Sequence, residues 1–215
     1  MDTKINLLKF KLYVPIYHVF KRGFDFCFSL FAFILLSPLL LFVSLLVFIF
    51  HGKPILFKQN RPGKDEKIFI MYKFRTMTNE KDVNGQLLPD EKRITNFGKF
   101  LRKTSIDELP ELLNVVKGDM SLIGPRPLLI KYLPFYTENE RKRHQVRPGI
   151  TGLSQVNGRN TLNWENRLKL DVIYVENMSF KLDLKILFKT FLTVIRPSRN
   201  IGSNLIEDFD VYRKT

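Results

Sequence analysis

The chain has 215 residues, 45% hydrophobic and 26% charged, which supplies the apolar material for one packed unit and excludes a wholly disordered chain. Its 35 Lys and Arg against 21 Asp and Glu give a formal charge of +14, so the partners to expect are anionic: phosphorylated metabolites, lipid head groups or nucleic acid. A single cysteine, Cys27, excludes an intrachain disulfide and a cysteine zinc cluster, and its apolar neighbours predict that it packs.

In chain order, the first twenty residues mix Lys4, Lys9 and Lys11 with Leu, Phe and Tyr, the pattern of an interfacial segment. From Phe26 to Phe50 no residue is charged. The run is too long for a signal-peptide core and no small-residue cleavage site follows it, so it is expected to be retained. At about 1.5 Å per residue it is long enough to cross a hydrocarbon core of roughly 30 Å, but Ser37 and Pro38 fall near its middle. Two arrangements fit these residues: a kinked spanning helix, and a hairpin that enters and leaves a membrane by one face. Lys21 and Arg22 before the run, with Lys53, Lys58 and Arg61 after it, put positive charge at both ends, as the hairpin requires. Residues 1–52 are therefore expected to form a membrane anchor, with each arm reaching only past the bilayer centre.

After His51 the composition shifts, and residues 53–197 read as a second unit. Ile55-Leu56-Phe57 and Ile68-Phe69-Ile70 predict two short strands, with Pro62 and Gly63 at the centre of a type II turn. Tyr72-Lys73-Phe74-Arg75 alternates aromatic and basic residues, a solvated strand face or an anion-binding one. Residues 79–92 predict a polar loop, and Phe97, Phe100 and Leu101 opposite Lys99, Arg102 and Lys103 predict a short amphipathic helix.

The centre of the chain is Arg102 to Pro127, where Asp107 and Glu108 stand side by side among basic residues and glycines. Pro110 is tolerated in a first helical turn, which predicts a helix starting at Asp107 or Glu108 with Leu109, Leu112, Leu113 and Val116 on one face. Lys117 and Gly118 close it. Both acids then sit at a helix N-terminus, where they stay ionised and where phosphate is received nearby; simple helix capping is the alternative. Further on, Gly124-Pro125-Arg126-Pro127 fixes the backbone around one arginine. Thr137 and Glu140 predict a capping box, and the turn-rich stretch from Arg147 to Asn160 a loop carrying arginines near both ends. Phe180, Leu184, Leu187, Phe188, Phe191 and Ile195 form an apolar stripe beside Lys181, Lys185 and Lys189, either core or interfacial. The tail, residues 198–215, is polar and expected to be loosely held.

Taken in order, Lys21-Arg22 with Phe24-Asp25, Ser37-Pro38, Gln59-Asn60-Arg61-Pro62-Gly63, Tyr72 to Met77, Ser105 to Pro110, Lys117 to Ser121, Gly124 to Pro127, Arg147 to Gly152 and Asn157-Gly158-Arg159 resemble the bacterial sugar transferases, the monotopic phosphoglycosyl transferases. The resemblance runs from Lys21 to Ile195; Ser154 stands where alanine is commoner, and the extra N-terminal helices of larger members have no counterpart. It is similar to the minimal single-domain form, which includes members that open bacterial N-linked protein glycosylation.

The resemblance implies an α/β fold in which a re-entrant helix-break-helix at Ser37 and Pro38 and interfacial amphipathic helices surround a small strand element. It implies transfer of a sugar 1-phosphate, by similarity that of an N-acetylated amino sugar, from a UDP-sugar to undecaprenyl phosphate at the cytoplasmic face of the bacterial inner membrane. Asp107 would attack the phosphate, Glu108 would assist, and Mg²⁺ would sit at the pair. Lys73, Arg75, Arg126 and Arg159 are the expected substrate phosphate contacts. A membrane-tethered nucleic-acid binder would account for the charge, but carboxylates repel phosphates unless a metal intervenes, so no nucleic-acid partner is expected. A non-catalytic lipid-binding scaffold leaves the Gly-Pro-Arg-Pro loop without a role.

Overall fold

Helices α1 (Asp2–Leu35) and α2 (Ser37–His51) meet at a 62° bend in the computed structural model, which describes residues 2–158, 162–195 and 208–214. The bend follows from Pro38. Its ring nitrogen cannot donate to the carbonyl of Ile34, four residues back, and the Ser37 hydroxyl takes over that acceptor at 2.7 Å. Among the described residues no single helix is long and apolar enough to cross a membrane; the bent pair together is. Phe31, Ile34, Leu35, Leu41, Phe42 and Ile49 are all more than half exposed, an apolar surface far larger than scattered exposed side chains give. Cys27 faces outward on α1 and is exposed, which corrects the expectation that it packs. On its inner side α2 buries Leu40, Val43 and Val47, at helical spacing, against Phe74 and Leu101.

Strands β1 (Leu56–Pro62) and β2 (Ile68–Phe74) pair antiparallel, with Phe57 opposite Lys73 and Arg61 opposite Phe69. The turn between them is not type II. Pro62 is still paired, to Ile68, so the chain reverses over residues 63–67, and Gly63 has φ −103° where a type II turn needs a positive angle. Helix α3 (Asp90–Arg93) closes the polar loop that follows, and α4 (Asn96–Thr104) starts at Thr95, whose hydroxyl accepts from Gly98 N. The chain then makes a 3-10 turn at Ile106–Glu108 before α5 (Glu111–Lys117), which Gly118 ends at φ 94°.

Strand β3 (Ser121–Ile123) pairs in parallel with β4 (Gly149–Thr151). Between them lie a 3-10 stretch at Ile130–Phe135 and α6 (Glu138–Arg141), whose Thr137 and Glu140 form the expected capping box. Helices α7 (Leu153–Val156), α8 (Trp164–Glu176) and α9 (Phe180–Ile195) follow, then α10 (Phe209–Tyr212). The main core joins Phe69 and Met71 of β2, Leu112 and Val115 of α5, Leu122 and Ile123 of β3, Tyr174 of α8 and Ile186 of α9. The α9 stripe divides: Leu187 packs against this core, while Phe180, Leu184, Phe188 and Phe191 are exposed. At the chain's end Phe209 is fully buried among Tyr132, Tyr136 and Trp164, so the described end of the tail is docked rather than loosely held.

Candidate active site

The acid pair sits one turn earlier than a helix N-terminus. Pro110 supplies no cap, the regular helix begins at Glu111, and Asp107 and Glu108 occupy the 3-10 turn that joins α4 to α5. Ser105, in the left-handed region at φ 58°, turns the chain sharply enough to aim this turn at β2. Capping is not what the pair does: among the described residues neither carboxylate accepts from a backbone N–H.

Glu108 is clamped. Its Oε1 receives Lys73 Nζ at 2.6 Å and Arg126 Nη2 at 2.7 Å. Lys73 Nζ also lies 3.2 Å from Oε1 of Glu111, an ion pair that lacks hydrogen-bond alignment, so one lysine serves a half-buried acid and a buried one. Burial alone would raise the Glu108 pKa, but Arg126 and Lys73 overcome it and hold the group well below the usual carboxylate range. Glu111 goes the other way: burial raises it, Lys73 offsets part of that, and the Glu108 charge adds to the rise.

Asp107 is buried and, among the described residues, makes no ion pair or side-chain hydrogen bond. Burial, then the neighbouring Glu108 charge, push its pKa up to about 6, partly offset by Lys73, Arg102 and Arg126. The helix terminus expected to keep both acids ionised is not at Asp107, and burial there raises the pKa that the terminus was expected to hold down. The result is one carboxylate locked by cations and a second left bare beside it.

Three buried groups position this arrangement. Asn114, on α5, donates to Ile70 O at 2.7 Å and accepts from Tyr72 N at 3.1 Å, which ties the helix to β2 next to Lys73. Arg143, paired to Asp171 at 2.8 Å, donates to the carbonyl of Arg126 at 2.7 Å. Ser154, the departure from the family pattern, hydrogen-bonds the other oxygen of Asp171 at 2.8 Å. The Gly124–Arg126 segment also rests on the β4 backbone: an added Cβ on Gly149 would lie 2.0 Å from Gly124 N.

Of the sequence candidates, Asp107, Glu108, Lys73 and Arg126 come together. Arg75 does not join them; it is buried and donates to Lys53 O at 2.8 Å, fastening the end of β2 to the segment after α2. Arg159 lies outside the described residues. Glu111, Asn114 and Arg143 were missed. Glu111 reads as an ordinary first-turn acid, whereas Asn114 was detectable as a polar residue between Leu112, Leu113, Val115 and Val116.

The site is thus an acid pair set among cations, on a chain whose helix pair exposes an apolar face. Residues 16–197 match the family model described as bacterial sugar transferase. The chain is 55% identical over 177 residues, 82% of its length and 88% of the relative's, to a Bacillus subtilis protein described as uncharacterized sugar transferase EpsL. It is 42% identical over 193 residues to an Aeromonas hydrophila UDP-N-acetylgalactosamine-undecaprenyl-phosphate N-acetylgalactosaminephosphotransferase, covering 84% of this chain and 45% of that one. A Klebsiella pneumoniae UDP-glucose:undecaprenyl-phosphate glucose-1-phosphate transferase is 42% identical over 182 residues, covering 80% and 39%. The chain thus spans most of the Bacillus relative and less than half of the other two. It belongs to the bacterial sugar transferase family and is an enzyme of that class.

Proposed function

We propose that this enzyme transfers a sugar 1-phosphate from a UDP-sugar to undecaprenyl phosphate and releases UMP, an early membrane step of glycoconjugate synthesis. One observation carries the reading: a buried Asp107, unpaired among the described residues, lies next to a Glu108 whose charge is held by Lys73 and Arg126. Such a pair separates nucleophile from helper. In the first half-reaction an Asp107 oxygen bonds to the sugar-bearing phosphorus, the bond from that phosphorus to the UMP oxygen breaks, and UMP leaves with the electron pair. In the second, a phosphate oxygen of undecaprenyl phosphate bonds to the same phosphorus and Asp107 returns as a carboxylate. Lys73 and Arg126 offset the phosphate charge at both stages.

The donor set suits Mg²⁺, which binds through one or two carboxylates and substrate phosphates rather than an all-protein cage. Among the described residues no group of three or more His, Cys, Asp or Glu forms such a cage. Asp107 and the Oε2 of Glu108, the oxygen that Lys73 and Arg126 leave unclaimed, would hold the ion. When bound it would supply further neutralisation of phosphate charge.

The sugar is proposed to be an N-acetylated amino sugar, which the Aeromonas relative supports; a panel including UDP-glucose and UDP-galactose tests it. With the matching donor, lipid acceptor and Mg²⁺, the expected nucleotide product is UMP. Release of UDP, or of no nucleotide from any donor, contradicts the reading.

The bent α1–α2 pair is proposed to enter and leave the inner membrane from the cytoplasmic side. The 62° bend at Ser37 and Pro38 and the exposed apolar faces support this. Single cysteines placed near residue 18 and at an exposed position of the 79–89 loop, in a Cys27→Ser background, should label from the same side.

A further inference from the structure

The β1–β2 register sets Phe57 opposite Lys73 and Arg61 opposite Phe69, so Arg61 and Lys73 belong to one face of the ribbon. That face covers α5, since Phe69 and Met71 pack with Leu112 and Val115. From one end of it Lys73 reaches Glu108 and Glu111. At the other end Arg61 turns toward the Gly-Pro-Arg-Pro segment, its Nη1 lying 3.4 Å from Pro127 O and its Nη2 2.6 Å from Gln59 Oε1.

Both of these acceptors are neutral. Among the described residues no carboxylate pairs with Arg61, and its Nε is buried without an acceptor. A guanidinium stays charged at any working pH, so the fold keeps a largely buried cation, bonded to the carbonyl of the residue after Arg126, that has no anion of its own among the described residues. Burial, followed by the Arg126 charge, lowers its pKa to about 10, while Glu111 pulls the other way. The Arg126 charge acts unfavourably on Arg61, an opposition that a multiply charged anion held by both would relieve, and planar N–H pairs match phosphate oxygens.

We propose that Arg61 is a substrate-binding residue whose guanidinium, together with that of Arg126, holds the diphosphate of the UDP-sugar on the side of the leaving nucleotide. The inference rests on the UDP-sugar reading above. It divides the labour among the basic groups: Lys73 and Arg126 hold Glu108 beside the nucleophile, Arg126 also meets the diphosphate, and Arg61 takes charge that ends on UMP.

The probe is UDP, the part common to every UDP-sugar, titrated into the full-length protein in detergent or nanodiscs, with uridine as a phosphate-free control. Charge-assisted hydrogen bonds contribute enough that Arg61→Gln should weaken UDP binding about 10- to 100-fold and raise the KM for the sugar donor in step. Uridine binding should not change. Arg61→Lys, which keeps the charge and loses the fork, should fall between the two, and it decides the matter if Arg61→Gln does not fold. A folded variant that binds UDP as tightly as a UDP-binding wild type overturns the inference alone. A wild type that binds no UDP and releases no UMP overturns the parent reading and the inference with it.

Discussion

Arg126 Nη2 lies 2.7 Å from Glu108 Oε1, the same oxygen that Lys73 Nζ meets at 2.6 Å. Two cations from different parts of the chain, a strand and a proline-flanked loop, therefore converge on one atom of one acid. Asp107, its sequence neighbour, receives neither. This asymmetry is the basis of the roles assigned to the two carboxylates.

Removing the loop cation should slow turnover more than it harms the fold, because Arg126 keeps part of its surface open to substrate. Arg126→Ala is expected to lower kcat/KM about 100-fold or more, the range found when one charge-stabilising donor is lost. Arg126→Lys should recover only part of it, for want of a planar fork. Steady-state kinetics with thermal unfolding as a control check this; full activity in Arg126→Ala contradicts it.

Lys73 should behave differently, as a stability residue as well as a site residue. It balances Glu108 and Glu111 together, and Lys73→Met leaves both acids, one half-buried and one buried, uncompensated on that side. Breaking such a pair from one end costs on the order of 3 kcal/mol. Adding Glu111→Gln to Lys73→Met should restore a part, since one stranded charge is then gone. Chemical unfolding of the single and double variants measures the coupling, and strictly additive effects would argue against a shared lysine.

His144 gives a pH signature away from the site. Its ring is buried near Tyr136, with Nδ1 3.3 Å from Gly63 O. Burial, then Arg143, lower its pKa from 6.5 to about 4, with the Gly63 contact opposing and Arg141 adding to the fall. Between those two values the unfolded chain binds the proton and the folded one does not, so stability is complete above about pH 6.5 and is lost as pH falls toward 4. The stability difference between wild type and His144→Asn should shrink by about 2–3 kcal/mol across that window. The titrations of Asp107 and Glu111 run in the opposite sense and cancel in the comparison. A difference that does not vary with pH would show that His144 titrates normally in the fold.

What the sequence disclosed about this site follows its local chemistry. Asp107 and Glu108 stood out through the likeness of Ser105 to Pro110 to the family pattern rather than through charge alone, since Asp65-Glu66 and Asp90-Glu91 are also adjacent acids beside basic residues, and Arg126 because prolines on both sides fix an arginine's backbone. Ser37 and Pro38 were legible as a break because proline's missing donor has to be answered locally, here by the Ser37 hydroxyl on Ile34 O. Long-range pairings were not. Lys73 and Arg75 have the same alternation and charge, yet one meets Glu108 and the other Lys53 O, a choice made by where β2 ends and the chain leaves the ribbon. Glu111 looked like helix-start chemistry, and only the docking of α5 on β2 through Asn114 makes it a third buried acid beside Lys73. Phe209 lies in a polar tail whose docking depends on an aromatic nest built from residues 132, 136 and 164.

The most direct test of the central claim is intact-mass analysis of the purified protein incubated with its UDP-sugar and Mg²⁺ and no lipid acceptor. The account predicts an added sugar-phosphate mass with one equivalent of UMP released, lost on later addition of undecaprenyl phosphate, and absent from a folded Asp107→Asn variant, whose amide is a far poorer nucleophile. A fully active wild type that never acquires the adduct and follows ternary-complex kinetics, or an Asp107→Asn protein that still acquires it, would contradict the assignment of Asp107.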